Sequence, residues 1–417
     1  MPDTVVPGSV DGEAHPAFAP LVAAFGRLFG PRSAGGGAVS VRLHGHPVVD
    51  VWAGFADRRT GAAWTRDTAT ICFSTSKGLA STVVHRLADR GLLDYDAPVA
   101  TYWPEFAAAG KQGITVRTLL SHRAGLHSMS GLAKTPEELL DHELMEERLA
   151  TRRADPLPGH PGYHAITFGW LASGLARRLT GKGMAQLVRE ELAGSLGTVG
   201  LSIGTPPDGL VRFAPLLGRT APVRPTPALL ADLTRRSMPA LKRVEPTRRF
   251  FEALYVPHFD RVLSGRHPAV LGTEMPAVNG VVSAHGLATL YAPIANEGVL
   301  GDVRLLSPAT THALSLVQTR ARDAVIGMRM NWRMGYHRGG VQGYRGDAIF
   351  GHYGFGGSGG WADPATGLSF GFVTNELRLL QAPVGGDGRI FRLSGLALRC
   401  GRNLLAAPGD APEGRPV

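Results

Sequence analysis

Strand-forming segments lie at the two ends of this chain, and a long, mainly helical stretch separates them. Val39 to His44 and Pro47 to Gly54 are β-branched and roughly alternating. Ala348 to His352 and Leu368 to Asn375 read the same way near the other end. From about residue 75 to 265 the periodicity is helical, broken by loops rich in Pro and Gly. The pattern predicts an α/β chain of the α+β type, with an antiparallel sheet made from the terminal segments and flanked by helices. A mainly helical domain is inserted into it. Residues 1–65 and 270–417 are expected to form the sheet-containing domain and 66–269 the helical one. One flanking helix is expected over Phe18, Leu21, Val22, Phe25, Leu28 and Phe29, stopped by Gly30-Pro31, and a closing helix over Ile390 to Leu405. Gly204 to Arg249 reads as a long irregular insertion, and Pro408 to Val417 as a disordered tail.

Composition narrows the function classes. Hydrophobic residues make up 44% and charged residues 19% of the 417, as in ordinary globular proteins. No run approaches the ~18 apolar residues of a membrane span. Met1 to Pro20 carries three acids and no Lys or Arg, unlike a secretory signal, so a cytoplasmic location is expected. The net charge of +10 comes from scattered basic residues interleaved with acids, without the basic runs or aromatic platforms that bind nucleic acid. Cys72 and Cys400 make no disulfide framework, and Cys72, in Ile71-Cys72-Phe73, is expected to be a buried small hydrophobe. His44-Gly45-His46 would place two imidazoles on one strand face with no third ligand nearby, so neither metal nor cofactor is expected.

The basic residues are 39 arginines and only five lysines: Lys77, Lys111, Lys134, Lys182 and Lys242. Arg cannot lose its proton in a protein, whereas a desolvated Lys can. That directs scrutiny to Ser74-Thr-Ser-Lys77, where Ser at i and Lys at i+3 share one helix face. With 20 serines and five lysines, chance supplies about one Ser-x-x-Lys in four such chains, so the spacing needs support. Support comes from its place at a strand-to-helix junction, where a helix N-terminus favours developing negative charge. Tyr163 follows two Pro-Gly turns in Pro158-Gly-His-Pro-Gly-Tyr163, ahead of the Leu171 to Thr180 helix, and can project into a cleft. Its phenol, lowered beside Lys77, could act as a base. The run Gly351-His-Tyr-Gly-Phe-Gly-Gly-Ser-Gly-Gly360 would let a substrate approach backbone N–H groups. Its Gly356-Gly-Ser358-Gly-Gly360 matches the GxSxG elbow of α/β-hydrolases. No histidine follows Ser358 to serve as base, so that match is read as incidental.

These three elements, in this order, resemble the serine β-lactamase and penicillin-binding-protein superfamily, and within it the class C-like family VIII carboxylesterases. The resemblance spans about residues 15 to 405 and includes Val116 to Leu126, Pro276 to Gly280 and Trp361-Ala-Asp-Pro364. It implies a β-lactamase/transpeptidase-like fold with the active site in the cleft between the domains. It also implies Ser74 as nucleophile, Lys77 as its partner base, and Tyr163 as activator of the serine and then of the deacylating water. His352-Tyr353-Gly354 occupies the Lys-Thr-Gly place as the substrate-binding strand, and the N–H groups of Ser74 and Phe355 would form the oxyanion hole. Ala165 stands where β-lactamases carry an Asn, and His352 where they carry a Lys; both departures look like the esterase branch. The expected activity is hydrolysis of short or medium acyl esters of small molecules. An acyltransferase using a small-molecule acceptor, a β-lactamase or D-amino-acid peptidase, and a non-catalytic binding protein are the alternatives.

Overall fold

A computed structural model gives the fold and describes residues 9–30, 33–155, 157, 159–217, 245–254, 259–263, 268–377 and 387–407. Most of the Gly204 to Arg249 segment, the stop at Pro31 and the tail from Pro408 fall outside the described residues.

The strands are β1 (Asp11–Ala14), β2 (Gly36–Leu43), β3 (His46–Asp57), β4 (Ala62–Ala63), β5 (Thr68–Ile71), β6 (Leu201–Ile203) and β7 (Arg212–Phe213). They continue with β8 (Gly280–Val282), β9 (Val299–Leu300), β10 (Val303–Arg304), β11 (His337–Arg338), β12 (Phe350–Tyr353), β13 (Gly359–Asp363) and β14 (Leu368–Thr374). Eight of them form one antiparallel sheet in the order β1-β3-β2-β14-β13-β12-β11, with β4 added to β3. The two ends of the chain meet in register where β14 lies beside β2, Phe370 opposite Val41 and Phe372 opposite Val39. Every residue of β14 is buried, because helices cover both faces of the sheet. The Ala284–Ala295 helix packs across β2, β13 and β14 on one side. On the other, Phe18, Leu21 and Phe25 join Val39, Val41, Phe370 and Phe372 and the Gly388–Ala406 helix in one apolar cluster. Alternating side chains of the same strands thereby feed two cores.

Two local readings change. The His44-Gly45-His46 triplet is a two-residue hairpin turn, not a strand face: Leu43 pairs with His46, and His44 and Gly45 both have positive φ (49° and 82°). A second sheet, β6-β8-β5-β7, draws two strands from the stretch read as mainly helical. At two and three residues these strands are too short to show a period. In this sheet β5 pairs with β7 in parallel and with β8 antiparallel. No described helix is long and apolar enough to cross a membrane.

The second sheet presents the chemistry-bearing segment. The chain leaves β5 at Ile71, the Cys72 N–H donates to the Gly280 carbonyl (2.8 Å), and a 3₁₀ turn, Phe73–Thr75, runs into the Ser76–Asp89 helix. Opposite it, Asn279 is fully buried and spans its own loop. Its side-chain amide donates to the carbonyls of Val270 (2.8 Å) and Thr273 (2.7 Å), and its oxygen accepts from the Met275 N–H (3.1 Å). That loop carries the Ala277 carbonyl toward Lys77. Asn279→Ala orphans three backbone groups, two of them in buried residues, so we expect a stability loss of about 2–4 kcal/mol. The urea midpoint should fall markedly, and an unchanged midpoint would contradict this role.

Candidate active site

The Phe73–Thr75 turn is sharp. Phe73 holds φ at +49°, a region costly for a bulky residue. The Ser76 hydroxyl stabilises it, donating to the Phe73 carbonyl while accepting the Gly280 N–H (2.9 Å). Ser74 is left half-buried at the head of the helix, and Lys77 one turn on is wholly buried. The spacing read from sequence closes as expected: Lys77 Nζ lies 2.9 Å from Ser74 Oγ.

Lys77 has two further neighbours, the carbonyls of Ala165 (2.6 Å) and Ala277 (3.3 Å). Neither carries a full charge. Burial therefore dominates and holds the amine well below the usual lysine range; the nearby Cys72 pulls weakly the other way. Cys72 cannot serve as counter-ion, since burial pushes its own thiol up to about 12. The neutral amine suits this geometry. Its two hydrogens go to the two carbonyls, and its lone pair is left for the Ser74 hydroxyl proton.

Tyr163 arrives on the loop before the Thr167–Thr180 helix. Its neighbour Gly162 donates from N–H to the His122 carbonyl (2.8 Å), and its own N–H donates to Asp323 Oδ1 (3.3 Å). The ring stacks on Trp332 (5.2 Å between centroids, 17°), and Lys77 Nζ lies 5.0 Å from its centre. The expected lowering of this phenol does not occur. Burial pushes it well above the usual tyrosine value, a hydrogen bond with Ser74 opposes this, and Asp323 adds to it. The physical reason is that a neutral Lys77 supplies no field to stabilise a phenolate.

The third element comes from β12. Gly354 touches the nucleophile turn so closely that a Cβ there would sit 2.0 Å from the Cys72 carbonyl. The Thr75 hydroxyl donates to the Ser358 carbonyl (2.9 Å), as does the Gly354 N–H (2.8 Å). Gly354 thus lets the nucleophile turn pack directly on the backbone of this strand end. Phe355 follows, its ring edge-on to Phe73 (5.9 Å), and its N–H finds no acceptor among the described residues. Ser358 is buried, with Oγ accepting from the Thr374 N–H (3.3 Å), a structural post consistent with an incidental GxSxG.

Strand alternation separates His352 from Tyr353. His352 faces Tyr163 (6.3 Å, 28°), whereas Tyr353 turns to the other side and donates its hydroxyl to the Gly340 carbonyl (3.1 Å). The structure thus brings His352 to the Ser74–Lys77–Tyr163 group and takes the Tyr353 side chain away. His352 Nδ1–H donates to the Tyr353 carbonyl (3.0 Å), and burial, then His337 and Lys77, hold the imidazole well below its ordinary value. The position therefore offers a neutral ring where a lysine would carry a fixed positive charge.

Several residues around the site carry no signal in sequence. Ala165 and Ala277 act through carbonyls that any residue would supply. His122, inside the Val116 to Leu126 phrase, wedges between Tyr163 (5.2 Å), Trp332 (4.2 Å) and Phe168 (5.0 Å). His164 Nε2 accepts from the Leu126 N–H (3.0 Å), so its proton sits on Nδ1 and points at His122 Nδ1 (3.3 Å). Both rings are neutral, held down chiefly by burial. No cluster of metal-binding side chains occurs among the described residues.

A half-buried serine against a buried amine, a tyrosine over them and a glycine-rich strand end beside them constitute the site of a serine hydrolase, and the chain belongs to the Beta-lactamase family, whose signature matches residues 23–392. It is 44% identical over 379 residues to the esterase/beta-lactamase LipL of Mycobacterium tuberculosis, covering 88% of this chain and 83% of that one. Among solved structures, a penicillin-binding protein homologue from Caulobacter crescentus superposes with a TM-score of 0.79 at 31% identity, over 94% of this chain and all of that one. A family VIII carboxylesterase superposes at 0.78 and 32%, with the same coverage.

Two outcomes follow from these environments. If the working base is a neutral Lys77, kcat/KM should rise with pH through an inflection below the ordinary lysine value. Lys77→Arg, which cannot deprotonate, should then lower kcat/KM by about 10²–10⁴-fold; near-normal activity in that variant would contradict the assignment. Burial also depresses His85 and His337 to about 4 and His164 to about 3. The unfolded chain binds protons at these positions first, so stability present above about 6.5 is lost as pH falls toward 4. Urea midpoints should drop between pH 7 and 5, and a flat profile would count against this reading.

Proposed function

We propose that this chain hydrolyses carboxylic esters of short or medium acyl chain through an acyl-enzyme on Ser74, in the cleft between the sheet-containing region and the mainly helical one. The observation that carries the reading is the Ser74–Lys77 contact with the amine held neutral. Ser74 Oγ attacks the ester carbonyl as its proton passes to Lys77. The N–H groups of Ser74 and Phe355 hold the oxyanion. The alcohol leaves with a proton returned by way of the Tyr163 hydroxyl. Water then takes the alcohol's place, giving its proton through the same phenol to Lys77 as it attacks the acyl carbon. The bond from that carbon to Ser74 Oγ then breaks, Oγ takes the proton back from Lys77, and the carboxylic acid leaves. Because its phenol is raised, Tyr163 works as a donor and relay, and Lys77 is the base in both halves.

The surroundings suit an uncharged substrate. Ala165, Ala253 and Val325 form a small buried apolar cluster against Tyr163, and Phe355, its ring edge-on to Phe73, is 46% exposed. A carboxylate of the kind β-lactams and peptides carry would meet a neutral His352 rather than a lysine. The esterase names borne by LipL and by the family VIII structure agree with this reading.

The test is intact-mass spectrometry with p-nitrophenyl butyrate while p-nitrophenol is followed. Rapid turnover in wild type and none in Ser74→Ala is the expected result. A stable butyryl adduct with a burst and little turnover would point instead to acyl transfer to another acceptor. Neither adduct nor release would overturn the reading. The oxyanion assignment has its own check: Phe355→Ala keeps the N–H and should stay within a few-fold of wild type. Phe355→Pro removes that N–H and should lose about 10²–10³-fold in kcat.

A further inference from the structure

Asp323 lies 160 residues beyond Tyr163, in the loop between the Pro308–Ser315 helix and β11, and its side chain is among the most deeply buried acids of the protein (1% exposed). No lysine or arginine pairs with it among the described residues. A buried carboxylate without a cation is costly unless its lone pairs are filled. Here they are filled by four neutral N–H groups. Oδ1 accepts from Val325 (2.8 Å), Ile326 (2.9 Å) and Tyr163 (3.3 Å), and Oδ2 accepts from the Trp332 indole (2.9 Å).

The first two bonds shape a local turn, which an Asn or Ser also makes well. The other two reach outward to the same target. One fixes the Tyr163 backbone, and the other fixes the indole whose face stacks on the Tyr163 ring. The neighbouring loop closes on the same segment: the Ala324 N–H donates to the Pro161 carbonyl (2.8 Å), His160 Nδ1 donates to the Arg322 carbonyl (3.1 Å), and Val325 packs on Ala165. The Tyr163 loop has no regular secondary structure of its own, so its orientation is set by these contacts and by His122.

We propose that Asp323 is a positioning residue for Tyr163, holding the phenol beside Ser74 and Lys77 through the peptide N–H and through Trp332 at once. It does not touch substrate. It acts on kcat by keeping the proton relay aligned, since a misplacement on the order of 1 Å costs about 10²-fold. The inference rests on the relay role given to Tyr163 above.

The test is a double-mutant cycle on steady-state p-nitrophenyl butyrate hydrolysis, with Asp323→Asn, Tyr163→Phe and the pair. Asn keeps one oxygen for the peptide N–H groups but opposes its NH₂ to the Trp332 N–H. Asp323→Asn is expected to lower kcat by at least about ten-fold with KM within about two-fold. In the Tyr163→Phe background the same change should alter kcat by less than about two-fold, because the group it aligned is gone. Asp323→Ala, which deletes both acceptor oxygens and all four hydrogen bonds, should lower kcat further. An equal loss in both backgrounds, or an Asp323→Asn chain that has lost its folded circular dichroism, would mark a purely structural role and overturn the proposal. A Tyr163→Phe variant with wild-type kcat would instead refute the relay reading itself.

Discussion

The Lys77 amine sits fully buried against the Ser74 hydroxyl and two backbone carbonyls, with no carboxylate paired to it among the described residues. A protonated lysine in that setting would carry an uncompensated charge in a low-dielectric interior, at a cost of several kcal/mol. Losing the proton removes the cost and leaves a lone pair pointing at the serine. The rest of the architecture serves this one condition. The Phe73 turn and Ser76 set the height of Ser74, Asn279 holds the loop that supplies the Ala277 carbonyl, and the Tyr163 loop supplies the carbonyl of Ala165.

Neutrality then spreads outward. His122, His164, His337 and His352 are all pressed toward their uncharged forms by burial around the same group. A cationic imidazole near Lys77 would reinforce its deprotonation but would also attract anionic substrates and demand counter-ions. The protein instead surrounds its base with aromatic and neutral polar surface. The Asp323 carboxylate is the exception, and its lone pairs are satisfied by N–H groups rather than by a cation. Such an environment favours chemistry on uncharged esters over recognition of a substrate carboxylate.

How far the sequence disclosed this depended on the range of each interaction. Ser74 and Lys77 were legible because residues three apart on a helix meet by local geometry alone, and the scarcity of lysine marked which one mattered. The terminal strands were legible from alternation, and their meeting as β2 and β14 followed from both ends being strand-like. The strands β6 and β7 were not, since two or three residues hold no period. The His44-Gly45 turn was misread because positive φ at a non-glycine has only a weak sequence signature. Tyr163 was placed by resemblance, but the direction of its phenol's shift depends on burial and on Asp323, neither of which is local. Carbonyl ligands such as those of Ala165 and Ala277 leave no trace in side-chain identity.

The central claim is that the folded protein keeps Lys77 uncharged near neutral pH, and the five lysines of the chain make that directly observable. With lysine labelled at Cε by carbon-13, each ammonium titrates as a separate NMR signal, and Lys77→Arg identifies the one of interest. The account predicts that the signal missing in the variant titrates well below the ordinary lysine value of about 10.4. Five signals that all titrate together near that ordinary value would contradict it.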